Sequence, residues 1–284
     1  PSLVGSEMCI RDRCSSTQIS GMSKNAFESY LFKDGKPMAL TSLNKSDEAP
    51  FQYGHLSLKA ILAVRDKRLA QTIDTVLLYN GRGFTRFNTG MESTSSTGYG
   101  VAKYDNEAIP EGFRSQSGKN YTHAPLFWLS VIYLNYAEAC AELGNITQDD
   151  LDKSINLLKD RAGLPHLSPI VGFSDPANNH GVSDLIWEIR RERRCELMFD
   201  NDNRYWDLIR WHQLDKLDTT KYPDIILGAN VANDMDGCEA NKVGKYIDGS
   251  KDGSRIYDKK HYLYPIPTGQ IALNPQLAPN NPGW

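Results

Sequence analysis

Apolar residues recur with helical spacing over several long segments in the second half of the chain. The clearest segment covers residues 125–143, where strong helix formers follow a proline and Gly144 stands immediately after them. Proline at the start and glycine just past the end are typical of a helix. At about 100° per residue, Asn135, Glu138 and Glu142 form one narrow polar stripe on an otherwise apolar or small surface. The pattern therefore predicts a mostly buried helix.

Helix hairpins are predicted twice in this half of the chain. A second amphipathic helix covers residues 149–162, and Gly163 marks its end. Ser183 then caps a predicted helix that runs to about Phe199, and residues 204–217 form the return helix. A short loop between amphipathic helices implies an antiparallel hairpin. The expected fold is therefore mainly α, with tetratricopeptide-like helix hairpins, although the consensus spacing of that repeat is absent.

Other parts of the chain lack helical periodicity. Residues 75–87 form a β-branched and aromatic run interrupted by Asn80-Gly81, which predicts a short hairpin. Residues 219–260 are rich in Asn, Asp, Gly and Lys and are predicted to form a long surface excursion. The proline-rich residues 262–284 predict an extended segment laid over the helices. Together these segments indicate a loop-rich, irregular lobe.

Charged residues are unusually dense on the predicted helix that begins at Ser183. On a helical wheel, Arg193 and Glu196 fall inside the apolar arc, three residues apart and with opposite charge. The simplest interpretation is a buried ion pair, because burying either partner alone is costly. Glu188 and Arg191 repeat this spacing nearer the edge of the arc. Structural ion pairs are likewise predicted for the next helix, from the alternation of Arg204, Asp207 and Arg210.

This charge density has three possible meanings. It can be a charge lattice that joins two helix hairpins, an arginine cluster that binds an anion, or a carboxylate pair that catalyses hydrolysis. The lattice is the preferred interpretation and catalysis the least favoured, because every acid has an arginine at helical distance whereas catalytic acids stand isolated in a cleft.

Composition excludes several classes of protein. A net charge of −3 spread along 284 residues provides no basic stripe of the kind that follows a nucleic-acid backbone. The five cysteines lack C-x-x-C spacing, and the six histidines are scattered, so neither a disulfide framework nor a metal site is predicted. Cys140 and Cys195 lie within helical patterns and are expected to be small core residues.

The first residues are unlike the rest of the chain. Residues 1–13, PSLVGSEMCIRDR, lack an initiator Met and any periodicity, and are predicted to be a non-native leader. Residues 14–284 are then one incomplete domain, the C-terminal region of a longer protein.

Five segments in order resemble the SusD/RagB family of glycan-binding outer-membrane lipoproteins. The sequence RRERRCELMFDNDNRYWDLIRW at 190–211 resembles the family signature. The remaining segments are DKRLAQTI at 66–73, STGYGVAKY at 96–104, the hairpin sequences YLNYAEACAELGN and INLLKDRAGLP, and residues 262–284. Tyr99 and Lys103 lie in one of these segments and are expected to be structural.

The resemblance implies a surface-exposed lipoprotein of the cell outer membrane. It would lie over a SusC-like TonB-dependent transporter and deliver oligosaccharide to it, without catalysis and without a cofactor. The lipid-bearing cysteine and the signal peptide are expected to be absent from this chain, because Cys14 follows the charged sequence IRDR. Contact with the membrane would then depend only on that missing anchor.

Glycan sites use exposed aromatic rings beside polar side chains, because sugars present apolar ring faces edged with hydroxyl groups. Four tryptophans are instead assigned to the core, since they lie on predicted helices; these are Trp128, Trp187, Trp206 and Trp211. The candidate glycan-binding residues are Phe84, Arg86, Phe87 and Asn88 in the predicted hairpin, with Tyr222 and Tyr246 in the long excursion.

Two other functions remain open. One is a helical-repeat adaptor that binds protein, and the other, less favoured, is a glycoside hydrolase. A convex helix face that contacts protein would distinguish the adaptor, and released reducing ends would distinguish the hydrolase.

Overall fold

Helices provide most of the regular structure. The structure is a computed structural model that describes residues 21–43, 58–75, 77, 95–103, 108–110, 113, 121, 125–200, 203–230, 242–249 and 254–284. Across these ranges, no helix combines the length and the apolar character needed to cross a membrane. The α-helices are α1 (Lys24–Ser29), α2 (Lys59–Leu62), α3 (Lys67–Thr72), α4 (Leu129–Glu142), α5 (Gln148–Asp152), α6 (Ile155–Ala162), α7 (Asp184–Glu196), α8 (Asn203–Arg210) and α9 (Thr268–Leu273).

Local sequence sets the ends of the helices that follow α4. The Thr147 hydroxyl accepts a hydrogen bond from the backbone N–H of Asp150, whose carboxylate accepts one from the Thr147 N–H, so α5 begins with a capping box. The single helix predicted over 149–162 is wrong: Ser154, with φ −133° and ψ −97°, leaves the helical region and separates α5 from α6. Gly163 ends α6 as predicted, at φ 70°, a conformation that glycine adopts without strain.

The second pair of helices, α7 and α8, also begins as predicted. The Ser183 hydroxyl accepts a hydrogen bond from the backbone N–H of Ile186 at 3.3 Å and caps α7. The return helix is shorter than the predicted 204–217. It ends at Arg210 because His212 adopts φ 53°, which a right-handed helix cannot accommodate, and a 3-10 helix follows at Leu214–Leu217.

Two apolar clusters meet at α7. One contains Ile189 and Leu197 of α7 together with Leu134 of α4 and Leu151 of α5. The other contains Cys195 of α7, which packs with apolar residues of α1 to α3. Each large buried side chain contributes about 1.5–3 kcal/mol. Helix α7 therefore joins the two halves of the core, and its polar side chains must be accommodated between them.

Helix α4 is oriented differently from the prediction. The mostly buried helix predicted over 125–143 begins only at Leu129, and one face of it is open to solvent. Glu138, assigned to the polar stripe, is instead buried and 5% exposed. The prediction failed because periodicity cannot show that a buried carboxylate has ionic partners on other helices. The large apolar residues exposed along and beside α4 are Leu126, Phe127, Leu129, Ile132, Tyr136 and Leu143.

A small sheet lies within the segment predicted as a surface excursion. Strands β1 (Leu227–Asn230), β2 (Lys242–Val243) and β3 (Tyr246–Asp248) pair antiparallel in the order β1-β3-β2. Gly228 fits closely against Thr97, because a Cβ atom there would lie 2.2 Å from the Thr97 carbonyl oxygen. The strands are short and lack the alternating β-branched pattern that would have predicted them.

The C-terminal segment is partly helical, so the prediction of an entirely extended path is wrong. Helix α9 follows Pro267, where a missing N–H removes no helical hydrogen bond. The segment then turns back on itself: the Asn280 side chain accepts from the N–H of Ile266, and the Asn281 side chain donates to the carbonyl of Tyr264.

Candidate functional site

Buried ion pairs join α7 to the helices packed against it. The Arg68 guanidinium of α3 donates to Asp66, to Glu196 at 3.0 Å and, through a short contact, to Glu192. Lys159 of α6 lies 3.6 Å from Glu192. Burial alone raises the pKa of Glu192, but Arg68 and Lys159 outweigh burial and hold that pKa below its ordinary value. Because a buried carboxylate is costly unless paired, these contacts hold α3, α6 and α7 together.

A second group of contacts joins α4 to α8. The Glu138 carboxylate accepts hydrogen bonds from Arg210 at 2.6 and 2.9 Å and from the indole N–H of Trp211 at 2.6 Å. Arg190 of α7 adds a cation at 3.8 Å. Burial alone raises the pKa of Glu138, but the bonds from Arg210 and Trp211 lower it below its usual value. The carboxylate is therefore ionised and acts as a link between helices.

The partners of Arg193 differ from the prediction. Its guanidinium donates to Asp207 of α8 at 2.7 Å and to Asn135 of α4 at 2.8 Å. Arg210 also donates to Asp207, at 2.9 Å. Within the described residues Arg193 forms no ion pair with Glu196, so the predicted pair between them is wrong. The Arg193 and Glu196 side chains are both buried but reach other helices, so their ionic contacts join α7 to its neighbours.

The remaining predicted residues fall into two kinds. Glu188 and Arg191 lie together, with 3.1 Å between Oε2 and Nε, and Arg191 also makes a short contact with Asp175. Of the alternation predicted on the next helix, Asp207 and Arg210 do pair, at 2.9 Å, whereas Arg204 forms no ion pair among the described residues.

A cleft of about 860 Å³ opens between α1, α7, α8 and strand β3; we call it the central cleft. Tyr222 and Tyr246, both predicted to bind glycan, line this cavity together with Trp187 and Trp211. Eight basic but only three acidic side chains line it. The central cleft thus combines aromatic surfaces with an excess of positive charge.

The four tryptophans were predicted to be core residues, and this prediction is wrong. Trp206 is 57% exposed, and Trp128, Trp187 and Trp211 are only partly buried. Trp187 and Trp206 lie on helices as predicted, whereas Trp128 precedes α4 and Trp211 follows α8. Helical periodicity could not show that the cavity opens beside α7 and α8.

Basic side chains lie over the two tryptophan rings of the central cleft. The Arg190 guanidinium carbon is 4.5 Å from the centre of the Trp211 ring, and that of Arg204 is 5.8 Å away. The Lys216 ammonium is 4.7 Å from the centre of the Trp187 ring. Such cation–π contacts hold the basic groups at the wall of the cleft.

Two of these cations have strongly altered pKa values. Burial, together with the neighbouring Arg194, lowers the pKa of Arg204 to about 9. Burial, with Arg204 and Arg194 nearby, lowers the pKa of Lys216 to about 7. Both shifts have the same physical causes: burial disfavours the charged form, and neighbouring arginines add repulsion that Asp207 and Asp215 only partly offset.

The two tyrosines have polar neighbours. The Tyr222 hydroxyl accepts a hydrogen bond from the Asn179 side chain at 3.1 Å. The ammonium groups of Lys24 and Lys245 lie 5.2 and 5.4 Å from the centre of the Tyr246 ring. The other candidates, Phe84, Arg86, Phe87 and Asn88, lie outside the described residues.

A second cavity of about 290 Å³ lies beside the C-terminal segment. Tyr205, Tyr257, Tyr264 and Trp284 line it, and the hydroxyls of Tyr205 and Tyr264 are 3.2 Å apart. It is rich in aromatic residues but smaller than the central cleft. Among the described residues, no group of three or more His, Cys, Asp or Glu side chains is arranged to hold a metal ion.

Sequence reasoning did not identify Arg68 or Lys216. Arg68 could have been found, because it follows Asp66 in the segment DKRLAQTI that resembles the family. Lys216 gave no signal, since a single lysine in a predicted helix is usually solvated. The structural role expected for two other residues agrees with their contacts: Tyr99 stacks on Phe27 at 4.4 Å, and Lys103 donates to the carbonyl of Met198.

A model of the SusD family matches residues 14–284. The chain belongs to the SusD family. This agrees with the resemblance found in five separate segments and with the mainly helical fold. A comparison with curated proteins gives no match.

Solved structures share this fold. A SusD-like carbohydrate binding protein from Bacteroides fragilis, BF0978, is 25% identical with a TM-score of 0.62, over 90% of this chain and 47% of that one. BT4246, crystallised with selenomethionine, is 22% identical with a TM-score of 0.63, over 97% of this chain and 50% of that one. A second SusD-like protein from the same species, BF3747, is 22% identical with a TM-score of 0.55, over 93% and 47%. This chain therefore spans about half the length of the solved structures that it matches.

Proposed function

We propose that the chain binds glycan in the central cleft, as the non-catalytic cell-surface component of a nutrient uptake complex. The observation that carries this proposal is that two tyrosines chosen from sequence, Tyr222 and Tyr246, line the same cavity as Trp187 and Trp211. A cavity of about 860 Å³ is within the usual size range of ligand sites, roughly 300–1,000 Å³. Aromatic faces beside polar groups suit sugar rings.

The partner and the location belong to the same proposal. As in other SusD-type lipoproteins, we propose a SusC-like TonB-dependent transporter as the partner and the outer face of the outer membrane as the location. Membership of the family supports both.

The chemistry of three buried acids supports a role without catalysis, and Glu188, whose pKa burial raises to about 8, does not line the central cleft. Glu138, Glu192 and Asp207 each accept hydrogen bonds from arginine. A general acid needs a raised pKa and access to substrate, whereas the pKa values of Glu138 and Glu192 are lowered. Incubation with a panel of polysaccharides should therefore release no reducing ends. Release that is abolished by substituting a carboxylate of the cleft would contradict the proposal and favour a glycoside hydrolase.

Binding can be measured by calorimetric titration of the 284-residue chain with oligosaccharides. We expect Tyr222→Ala and Tyr246→Ala each to weaken binding on the order of tenfold, because stacking on an aromatic ring is lost. Tyr121→Ala is the matched control, since Tyr121 is 61% exposed and does not line the central cleft. If Tyr264→Ala abolishes binding while the two cleft variants bind normally, the glycan site is the second cavity and not the central cleft.

One observation favours the alternative of a protein-binding adaptor. Phe127 is 93% exposed and Ile132 61% exposed on an open apolar face beside α4, and such faces mark contacts with other proteins. The charge-neutral variants Phe127→Ser and Ile132→Ser distinguish the two functions. If they leave glycan binding intact and abolish association with the transporter, the face is a protein contact and the cleft a separate sugar site.

A further inference from the structure

Three cations of the central cleft, Arg194, Arg204 and Lys216, have no carboxylate in ion-pair contact among the described residues. In the described part of the chain, neither Arg204 nor Lys216 forms an ion pair, and Arg194 donates only to the amide oxygen of Asn25, at 2.7 Å. Away from the cleft, Arg193 and Arg210 both contact carboxylates. Within it, Arg190 and Arg191 also have carboxylate partners, so Arg194, Arg204 and Lys216 differ from the arginines beside them.

The charge of the cleft is opposite to that of the whole chain. Eight basic and three acidic residues line the cavity, whereas the chain carries a net charge of −3. Walls of low dielectric focus such a local excess into the cavity and attract anions. Unpaired buried cations are unfavourable for folding, and an anionic ligand in the cavity would offset that cost.

These cations also lie beside the aromatic rings of the cleft. Lys216 lies over Trp187, and Arg204 and Arg190 lie over Trp211, so each aromatic face has positive charge beside it. A pyranose ring stacked in the cleft would bring an acidic substituent within reach of these groups. Guanidinium groups hydrogen-bond carboxylate and sulfate oxygens strongly.

We propose that the central cleft binds acidic glycans, in which carboxylate or sulfate groups on the sugar contact Arg204 and Lys216. This inference rests on the proposed function, because it names the class of glycan that the same cleft accepts. The low pKa values of the two cations agree with it, since a bound anion would relieve the repulsion that lowers them.

An acidic peptide segment carries the same carboxylate chemistry but no apolar ring face. Four aromatic residues, Tyr222, Tyr246, Trp187 and Trp211, line the cavity together with the cations. Sugar recognition uses the aromatic faces and the charges together, which is why we favour an acidic glycan.

The test is calorimetric titration of the 284-residue chain near pH 6, where Lys216, with a pKa of about 7, is mostly protonated. The probes are tetragalacturonate, a sulfated tetrasaccharide, maltotetraose as the neutral sugar, inorganic sulfate, and tetraglutamate as the acidic peptide. We expect at least one acidic tetrasaccharide to bind on the order of tenfold or more tightly than maltotetraose.

Arg204→Gln and Lys216→Gln should each weaken binding of the acidic sugar about tenfold and leave binding of maltotetraose unchanged. Lys153→Gln is the control, because it removes the same charge at a side chain that is 67% exposed and does not line the central cleft. Melting curves establish that each variant is folded. Arg204→Gln and Lys216→Gln test the same inference separately. If one of them does not fold, the other still decides the result.

Four outcomes would overturn the inference. If maltotetraose binds as tightly as the acidic sugars and both cleft variants bind normally, the glycan is neutral and the proposed function remains. If no sugar binds, the proposed function fails as well. If tetraglutamate binds as tightly as tetragalacturonate, the cleft accepts an acidic peptide. If only inorganic sulfate binds, the cleft attracts small anions without recognising sugar.

Discussion

Two neighbouring residues of α7, Arg193 and Arg194, have opposite surroundings. Arg193 is buried against Asp207 and Asn135. Arg194 lines the central cleft, where the amide of Asn25 is its one hydrogen-bond partner within the described ranges. A rotation of about 100° along the helix therefore separates a paired from an unpaired arginine. The comparison teaches that arginine density alone does not define a role, and that the carboxylates on adjacent helices do.

This difference predicts opposite effects on stability. Removing one partner of a buried pair leaves an uncompensated charge, which typically costs about 3–5 kcal/mol. Removing an unpaired cation from a crowded cavity relieves repulsion. The predictions below test this contrast from the largest effect to the smallest.

Glu192→Ala should be the most destabilising substitution, because it leaves both Arg68 and Lys159 buried without their shared carboxylate. We expect a loss of about 4 kcal/mol in the free energy of unfolding. Urea denaturation monitored by circular dichroism measures it. If the urea concentration at the unfolding midpoint is the same for this variant and the unmodified chain, the buried ion pairs of Glu192 do not stabilise the fold.

Arg204→Gln should keep or raise stability, in contrast to Glu192→Ala. Among the residues that the structure describes, the Arg204 side chain has no ion-pair partner. Its pKa is lowered to about 9 by burial and by Arg194, so the charged form is disfavoured in the fold. The same denaturation experiment applies. A loss as large as that of Glu192→Ala would show that Arg204 has an essential structural partner.

Lys216 should make stability depend on pH. Its pKa is about 7 in the folded chain and about 10.5 in the unfolded chain, so the unfolded state binds more protons between these values. Stability should therefore rise as pH increases above about 7, and the cost of the charge is fully present below it. The groups facing Lys216 are Arg190, Arg194, Arg204, Asp215 and His180.

The measurement is the denaturation midpoint of the chain relative to Lys216→Met, between pH 7 and about 8.5. This window lies below the pKa of about 9 at Arg204 and above that of His180, which burial and Lys216 hold below its ordinary value of 6.5. A difference that stays constant across the window would show that Lys216 does not titrate there.

Lys153→Gln should have the smallest effect. Lys153 pairs with Asp149 on an exposed surface, where both side chains are about two-thirds exposed, and solvent screens such pairs. We expect no measurable change in the denaturation midpoint. A clear loss would mean that exposed pairs also contribute to the stability of this fold.

Much of the helical framework could be predicted from sequence. The cap at Ser183 and the stop at Gly163 are local signals, and both were correct. The burial of Glu138 could not be predicted, because its partners Arg210 and Trp211 are distant in sequence. The backbone angles of Ser154 and His212, which end helices early, left no pattern in the sequence. The two-residue strand β2 is too short to produce a pattern.

The site was harder to predict than the fold. Tyr222 and Tyr246 were chosen as exposed aromatic residues, and they lie in one cavity although they are distant in sequence. The pairing of Arg193 with Glu196 was wrong because helical spacing identifies neighbours along one helix, whereas the partners belong to α3, α4 and α8. The excess of cations in the cleft emerges only once the helices are packed.

The central claim is that paired arginines stabilise the helices and unpaired ones bind an acidic ligand. Its most direct test measures unfolding and tetragalacturonate binding side by side for Arg193→Gln and Arg204→Gln. The account predicts that Arg193→Gln loses about 3 kcal/mol of stability, while Arg204→Gln remains as stable as the unmodified chain and binds about tenfold more weakly. Equal losses of stability in the two variants, with binding unchanged in Arg204→Gln, would contradict it.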